Sequence, residues 1–350
     1  MTKRDNLIRA IRFETPEYIP MEFVVNDACW HHFDNEQLYD LLEAHPHLFP
    51  DFKRPKGRYK PDYLVNALAE KPYTDPWGCV WKTSDNGITG SVHIHPLDTW
   101  DNFKDYRTPD PAVTDGTYSI DWDRIMQNVR EKRAKGDPVT GGLPHGHTFL
   151  RIQDIRGYEN FIFDMVDERK ELLELLDMVE NFNRGVIERW IKLEPDVITF
   201  PEDLGMQIGP MLSPDQFVKY IKPCYQRLME PVRNNGILVH MHSDGDIRTL
   251  AEDLIDGGVD ALNLQDLVNG IDWIADNLAG RVCVDLDIDR QDITFSGTPA
   301  QIDSLVREEV EKIGSKKGGL MMIYGLYPGV PIENASALMD AMEKYSYFYS

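Results

Sequence analysis

From about Gly136 onward, short apolar runs alternate with longer amphipathic stretches. The runs Pro138 to Leu143, Asp196 to Gly205, Ile237 to Ile247, Ala261 to Asp266, Arg281 to Asp287 and Gly318 to Gly325 are largely apolar, and most end in polar residues or glycine. Runs of that length bounded by turn residues predict buried strands. Between them, Leu172, Leu175, Leu176, Val179, Phe182, Val186, Ile187 and Trp190 recur at helical spacing, as do Ile302, Leu305, Val306, Val310 and Ile313. Ser213-Pro214-Asp215-Gln216 and Thr298-Pro299-Ala300-Gln301 predict helix starts, with a hydroxyl N-cap, proline in the first turn and glutamine returning the cap. Gly236 and the pair Gly257-Gly258 predict helix ends. A closing helix is expected from Ile332 to Tyr345.

Upstream, Thr2 and Asp5 cap a short helix carrying Leu7, Ile8 and Ile11, which Pro16 ends, and a strand is expected from Ile19 to Val25. From Asp27 to about Gly136 the pattern is irregular and rich in proline and aromatic residues. Strand, polar end and helix recur with short connections, so the sheet should be parallel, with all carboxyl ends on one side. The count reaches eight if one strand lies near Tyr63 or Val80. The expected fold is therefore an α/β (β/α)8 TIM barrel, one domain over residues 1–350 with an irregular N-terminal extension. No Gly-x-Gly-x-x-Gly follows a strand, so the phosphate signature of a dinucleotide fold is missing.

Charge narrows the partners. Acidic residues number 59 against 37 basic ones, a net charge of −22. Such a surface repels nucleic acid and anionic membranes. The amino terminus lacks the apolar core of a signal peptide and no stretch reaches membrane-spanning length, which makes a cytoplasmic protein the expectation. Cys29, Cys79, Cys224 and Cys283 are too scattered for a Cys-x-x-Cys centre and should be reduced and buried.

The candidate chemistry lies at the strand ends. His240 and His242 share one face of their strand, and Asp244 follows where Gly245 lets the chain turn. A barrel would gather Glu202, His240, His242, Asp244, Gln265, Asp266, Asp285, Asp287 and Tyr324 at one mouth, near the loop bearing His145 and His147. Asp75, in the turn before Trp77 and Trp81, is either a presented acid or a turn residue. Lys53 to Lys60 form a basic loop suited to an acidic partner or a substrate anion. Trp77, Trp81, Phe200 and Tyr324 suit an aromatic substrate or a core equally.

Seven ordered segments carry a resemblance: Asp-Pro-Trp-Gly (75–78), Arg-Gly-Tyr-Glu-Asn-Phe (156–161), Glu-Asp-Leu-Gly (202–205), Ser-Pro-Asp-Gln-Phe (213–217), His-Ser-Asp-Gly-Asp-Ile (242–247), Gly-Thr-Pro (297–299) and Pro-Ile-Glu-Asn (331–334). Together they make the chain similar to the uroporphyrinogen decarboxylase superfamily. That superfamily holds cofactor-free porphyrinogen decarboxylases and zinc-dependent methyltransferases that work with corrinoid proteins, and fold alone does not choose between them. The decarboxylases carry an arginine-rich segment near the amino terminus. Its counterpart here, Pro20 to Asp27, has no arginine and two acids.

The methyltransferases hold zinc through His-x-Cys-Gly on the fifth strand and a Gly-Cys after the last. Here His242-Ser243-Asp244-Gly245 has aspartate in place of cysteine, and Gly325 is followed by Leu326. The resemblance thus implies a zinc site of Glu202, His242 and Asp244, without thiolate, with His240, His147, Asp75 and Tyr324 as catalytic candidates. An oxygen-rich site suits an oxygen substrate better than a thiol. The expected activity is O-demethylation: a methyl group passes from a methoxylated compound, aromatic or otherwise, to the cobalt of a corrinoid. The chain has no Asp-x-His-x-x-Gly for ligating a cobalamin, so a separate corrinoid protein is expected as partner. A homodimer is a further implication. Two alternatives stay open: a metal-independent decarboxylase or lyase acting on a small carboxylic acid, and a non-catalytic paralogue that binds a small molecule.

Overall fold

The structure is a computed structural model covering residues 1–350. Seven parallel strands form one curled sheet: β1 (Met21–Val25), β2 (Thr140–Gly142), β3 (Val197–Asp203), β4 (Leu238–Asp244), β5 (Ala261–Gln265), β6 (Cys283–Asp287) and β7 (Leu320–Leu326). Their order is β1-β7-β6-β5-β4-β3-β2, so chain neighbours from β2 to β7 are spatial neighbours and β1 pairs with β7. This is a TIM-barrel-like fold. The expected eighth strand is not in the sheet: Val80–Lys82 instead joins Tyr73–Thr74 and Ser91–Ile94 in a small antiparallel sheet. β4, counted as the fifth strand by resemblance, is therefore the fourth of seven.

Most predicted helices form where their signals lie. The 22-residue helix α5 (Lys170–Ile191) buries its apolar stripe. Helix α8 (Pro299–Ile313) starts with the complete reciprocal capping box of Thr298 and Gln301. The closing helix α9 spans Ile332–Ser346. All four cysteines are reduced and buried. No helix is long and apolar enough to cross a membrane.

Three layers fill the inside of the curled sheet. At the amino-terminal end, Val197, Leu238, Ala261, Cys283 and Met321 form an apolar floor closed by Ala10 and Ile11 of helix α1 (Lys3–Arg12). Because side chains alternate along a strand, the same face two residues further on carries Thr199, His240, Asn263, Asp285 and Ile323. Two further again come Pro201, His242, Gln265, Asp287 and Gly325. Asp203 and Asp244, paired in register, form the rim. The opposite strand faces bury Ile198, Phe200, Val239, Met241, Leu262, Leu264, Val284 and Leu286 against the helices.

Candidate functional site

Two glycines bring the acidic strand ends together. Gly245, at a positive φ of 81°, packs so closely on Gly205 that a Cβ there would lie 2.1 Å from the Gly205 carbonyl carbon. Any side chain would push β3 and β4 apart just past Asp203 and Asp244. The approach lets the Asp244 backbone N–H donate to Asp203 Oδ1 at 3.3 Å.

Asp203 is the hub of a compact cluster. His145 Nε2 donates to its Oδ1 at 3.1 Å, and His242 Nε2 lies 3.5 Å from the same oxygen. His242 Nε2 is also 3.8 Å from Asp244 Oδ1. Ligand atoms of His145, Asp203 and His242 all fall within 4.8 Å of one another. On its other side, the His242 ring is bonded through Nδ1 to Asn263. An outer partner of that kind fixes ring orientation and aims the free nitrogen, as around metal-ligating histidines. Two imidazoles and a carboxylate are a donor set that fits a catalytic zinc ion.

Electrostatics reinforce the cluster. Burial would raise the Asp203 carboxyl, but hydrogen bonds from His145 and His242 hold it well below the usual range. Burial would lower His242, yet the Asp203 contact, the Asp244 charge and Asn263 push it up to about 9. His145 is raised against its own burial for the same reason, by Asp203. A metal at this cluster competes with those protons, so its affinity rises with pH. At the rim, Arg290 pairs with Asp287 at 2.7 Å and reaches Asp244 at 3.4 Å, with its guanidinium over Tyr327. Burial pushes the Asp287 carboxyl up to about 7 even though the Arg290 charge beside it pulls the other way.

One layer deeper, His240 Nε2 donates to Asp285 Oδ2 at 2.7 Å, while its Nδ1 has no protein partner. Glu22 of β1 lies in the same layer. Its carboxyl is raised by burial and then by the Asp285 charge.

Several sequence candidates fall elsewhere. Glu202 points away from the mouth with Ile198 and Phe200, is fully buried, and accepts N–H bonds from Thr148, Phe149 and Leu150, at the start of helix α4 (Phe149–Arg156). It caps that helix, and Asp203 takes the place assigned to it in the cluster. His147 is buried behind the strands against Phe200 and Tyr225, with Nδ1 bonded to Thr148 at 2.7 Å. Burial, then the nearby His145, lowers its imidazole to about 3. Asp75 spends both oxygens on structure: Oδ1 accepts from Trp77 and Cys79, and Oδ2 from Trp81 and Arg151. Tyr324 faces the helices and donates to Thr294 at 3.1 Å. Trp77 and Phe200 are core residues.

Residues 84–345 match the family described as uroporphyrinogen decarboxylase (URO-D). The chain belongs to that family. A methyltransferase from Methanosarcina mazei shares the fold over 100% of both chains with a TM-score of 0.68 at 17% identity. A B12-independent methionine synthase from Shewanella sp. W3-18-1 overlaps 64% of this chain and 66% of its own, at 12% identity and a TM-score of 0.41. Comparison with curated proteins finds no match. Within this family member, His145 and Asp203 are the site residues that sequence reasoning left out of the ligand set. The signal for Asp203 was present, since its parity matches Thr199 and Pro201 while that of Glu202 matches the apolar Ile198 and Phe200.

Proposed function

We propose that the protein is a zinc-dependent methyltransferase that removes the methyl group of a methoxylated compound, an aromatic methyl ether, and delivers it to the cobalt of a separate corrinoid protein. The observation that carries this reading is the convergence of His145, Asp203 and His242 at the open mouth of the barrel, with Asp244 alongside. His145 Nε2, His242 Nε2 and an Asp203 oxygen would hold the zinc. When bound, it supplies a Lewis acid that stabilises negative charge on the ether oxygen as the carbon–oxygen bond breaks.

The chain's own residues orient and select. Asn263 holds the His242 ring. Asp285 holds the Nε2 proton of His240 and fixes that ring below the cluster. The methyl carbon must face outward, in line with the breaking bond, so that the partner's cobalt can reach it from above the mouth. The acidic rim and the exposed Lys53, Lys56 and Lys60 are available to orient that partner. Arg54 of the same loop is already held by Glu36, Asp40 and Glu43.

The test combines zinc-loaded protein, a reduced corrinoid protein and a panel of methoxylated aromatics, and follows methylcobalamin formation by absorbance. Formation that requires both proteins and is lost in His242→Ala is the expected result. Formation that survives metal removal would overturn the zinc role. Absence of transfer from every ether would favour the decarboxylase or lyase reading, which carbon dioxide release from small acids would reveal.

A further inference from the structure

A second cluster of side chains of metal-ligand type lies on the helix that follows β1 and on the loop packed against it. Helix α2 (Cys29–His32) follows β1 and is anchored by the buried Cys29 and Trp30. Cys29 Sγ donates to the Leu326 carbonyl at 3.2 Å, and the N–H of Ala28 is held by Asn26. With two of its four residues committed to the core, α2 turns His31 and His32 outward. Their rings sit 4.5 Å apart, tilted 39°, and both address one carboxylate. His31 Nε2 is 2.9 Å from Asp85 Oδ1, and His32 Nε2 is 2.6 Å from Asp85 Oδ2.

Asp85 is held as firmly as the histidines. Its N–H is bonded by the Thr83 hydroxyl, whose own proton goes to the Asp85 carbonyl. Next door, Asn86 accepts from the Ala69 N–H at 2.8 Å, and Gly87 donates to the Ala67 carbonyl at 2.8 Å. Gly87 is pressed against α2, where a Cβ would lie 2.4 Å from the Ala28 nitrogen. Loop and helix are therefore locked together independently of the His–Asp contacts. Ligand atoms of His31, His32 and Asp85 all lie within 4.8 Å of one another.

We infer that His31, His32 and Asp85 form a second site for a divalent transition ion of the zinc class, open to solvent and distinct from the mouth cluster. In tetrahedral coordination at about 2.0–2.1 Å, two ligand atoms lie about 3.3 Å apart. The present contacts of 2.9 and 2.6 Å then need to open by about 0.4 and 0.7 Å, which exposed side chains allow. Tyr63 supplies the outer contact: its hydroxyl lies 3.0 Å from His31 Nδ1, on the far side of the ring from Asp85. On loading, the metal replaces the proton at His31 Nε2, and Nδ1–H donates to Tyr63, which fixes the ligating tautomer. Imidazole nitrogen selects this ion class over calcium and magnesium, which prefer all-oxygen shells. Water completes the coordination.

The experiment is titration of chelator-treated, full-length protein with cobalt(II), followed by its visible absorption and by hyperfine-shifted imidazole N–H resonances. Wild type should take up two equivalents. His32→Gln and Asp85→Asn should each lose one, with native circular dichroism, and Tyr63→Phe should weaken that equivalent by about tenfold or more. His31→Gln should abolish one slowly exchanging hyperfine-shifted proton. His242→Ala should lose the other equivalent and keep this one. Loss in His242→Ala without loss in His32→Gln or Asp85→Asn would overturn the second site. The converse pattern would overturn the mouth site and leave this one standing.

Discussion

Replacing Asp75 with asparagine separates a structural acid from a catalytic one. The carboxylate is fully buried and pairs at 2.7 Å with Arg151, whose side chain is also buried. Asp75→Asn keeps an acceptor for the Trp77 and Cys79 N–H groups but turns an amide N–H₂ toward Arg151 Nη1 and Trp81 Nε1. The buried guanidinium then loses its paired carboxylate and keeps Thr117 as a hydrogen-bond partner, with the nearby Asp154 as the carboxylate that still acts on it. Breaking one side of a buried pair costs roughly 3–5 kcal/mol. With an unfolding entropy of about 2.1 cal/mol/K per residue, a chain of 350 residues unfolding as one unit loses roughly 4–7 °C in Tm. Differential scanning calorimetry at neutral pH measures this directly. Below the lowered Tm, metal content and substrate turnover should match wild type. The double variant Asp75→Asn/Arg151→Met, which removes the stranded charge, should recover part of the loss. An unchanged Tm together with abolished turnover would refute the structural assignment and return Asp75 to the chemistry.

Three further outcomes are expected. His242→Ala, His145→Ala and Asp203→Asn should each lower the zinc content of protein purified without chelator by close to one ion per chain at the mouth, whereas Glu202→Gln should leave that ion bound and lower Tm. Elemental analysis decides between Asp203 and Glu202. Burial and the Asp266 charge hold the Glu309 carboxyl well above its ordinary value, so the folded state keeps a proton that the unfolded chain releases above about pH 4.3. Its stabilising contribution is complete below that pH and is lost as pH rises toward the folded value. Glu309→Gln should therefore gain Tm relative to wild type progressively as pH rises above about 4.3, and an equal Tm difference at every pH would refute the linkage. Uroporphyrinogen should not be decarboxylated, because Pro20 to Asp27 offers two acids and no arginine to a substrate with many carboxylates, and Arg290 is already paired. Turnover at ordinary enzymatic rates would contradict this.

Local chemistry sets what could be read along the chain. Apolar runs and capping residues act over a few positions, and so β3 to β7, α5 and α8 were legible. The same locality made the polar strand ends visible, and with them His240, His242 and Asp244. Other features depended on distant parts of the chain. Val80 reads as a barrel strand, yet it hydrogen-bonds with segments on either side of it in an antiparallel sheet. Glu202 and Asp203 are chemically alike as neighbours in sequence. One faces the start of α4, whose N–H groups consume it, and the other faces His145 and His242, because the pleat sends adjacent side chains to opposite sides. Asp75 became structural only when Arg151, 76 residues away, came beside it. His31 and His32 met Asp85 across more than 50 residues, through a loop whose position is set by backbone contacts with α2. Residue type and periodicity determined which elements form and which side chains carry chemistry; packing decided which of those side chains meet, because each contact joins segments with no local preference for one another.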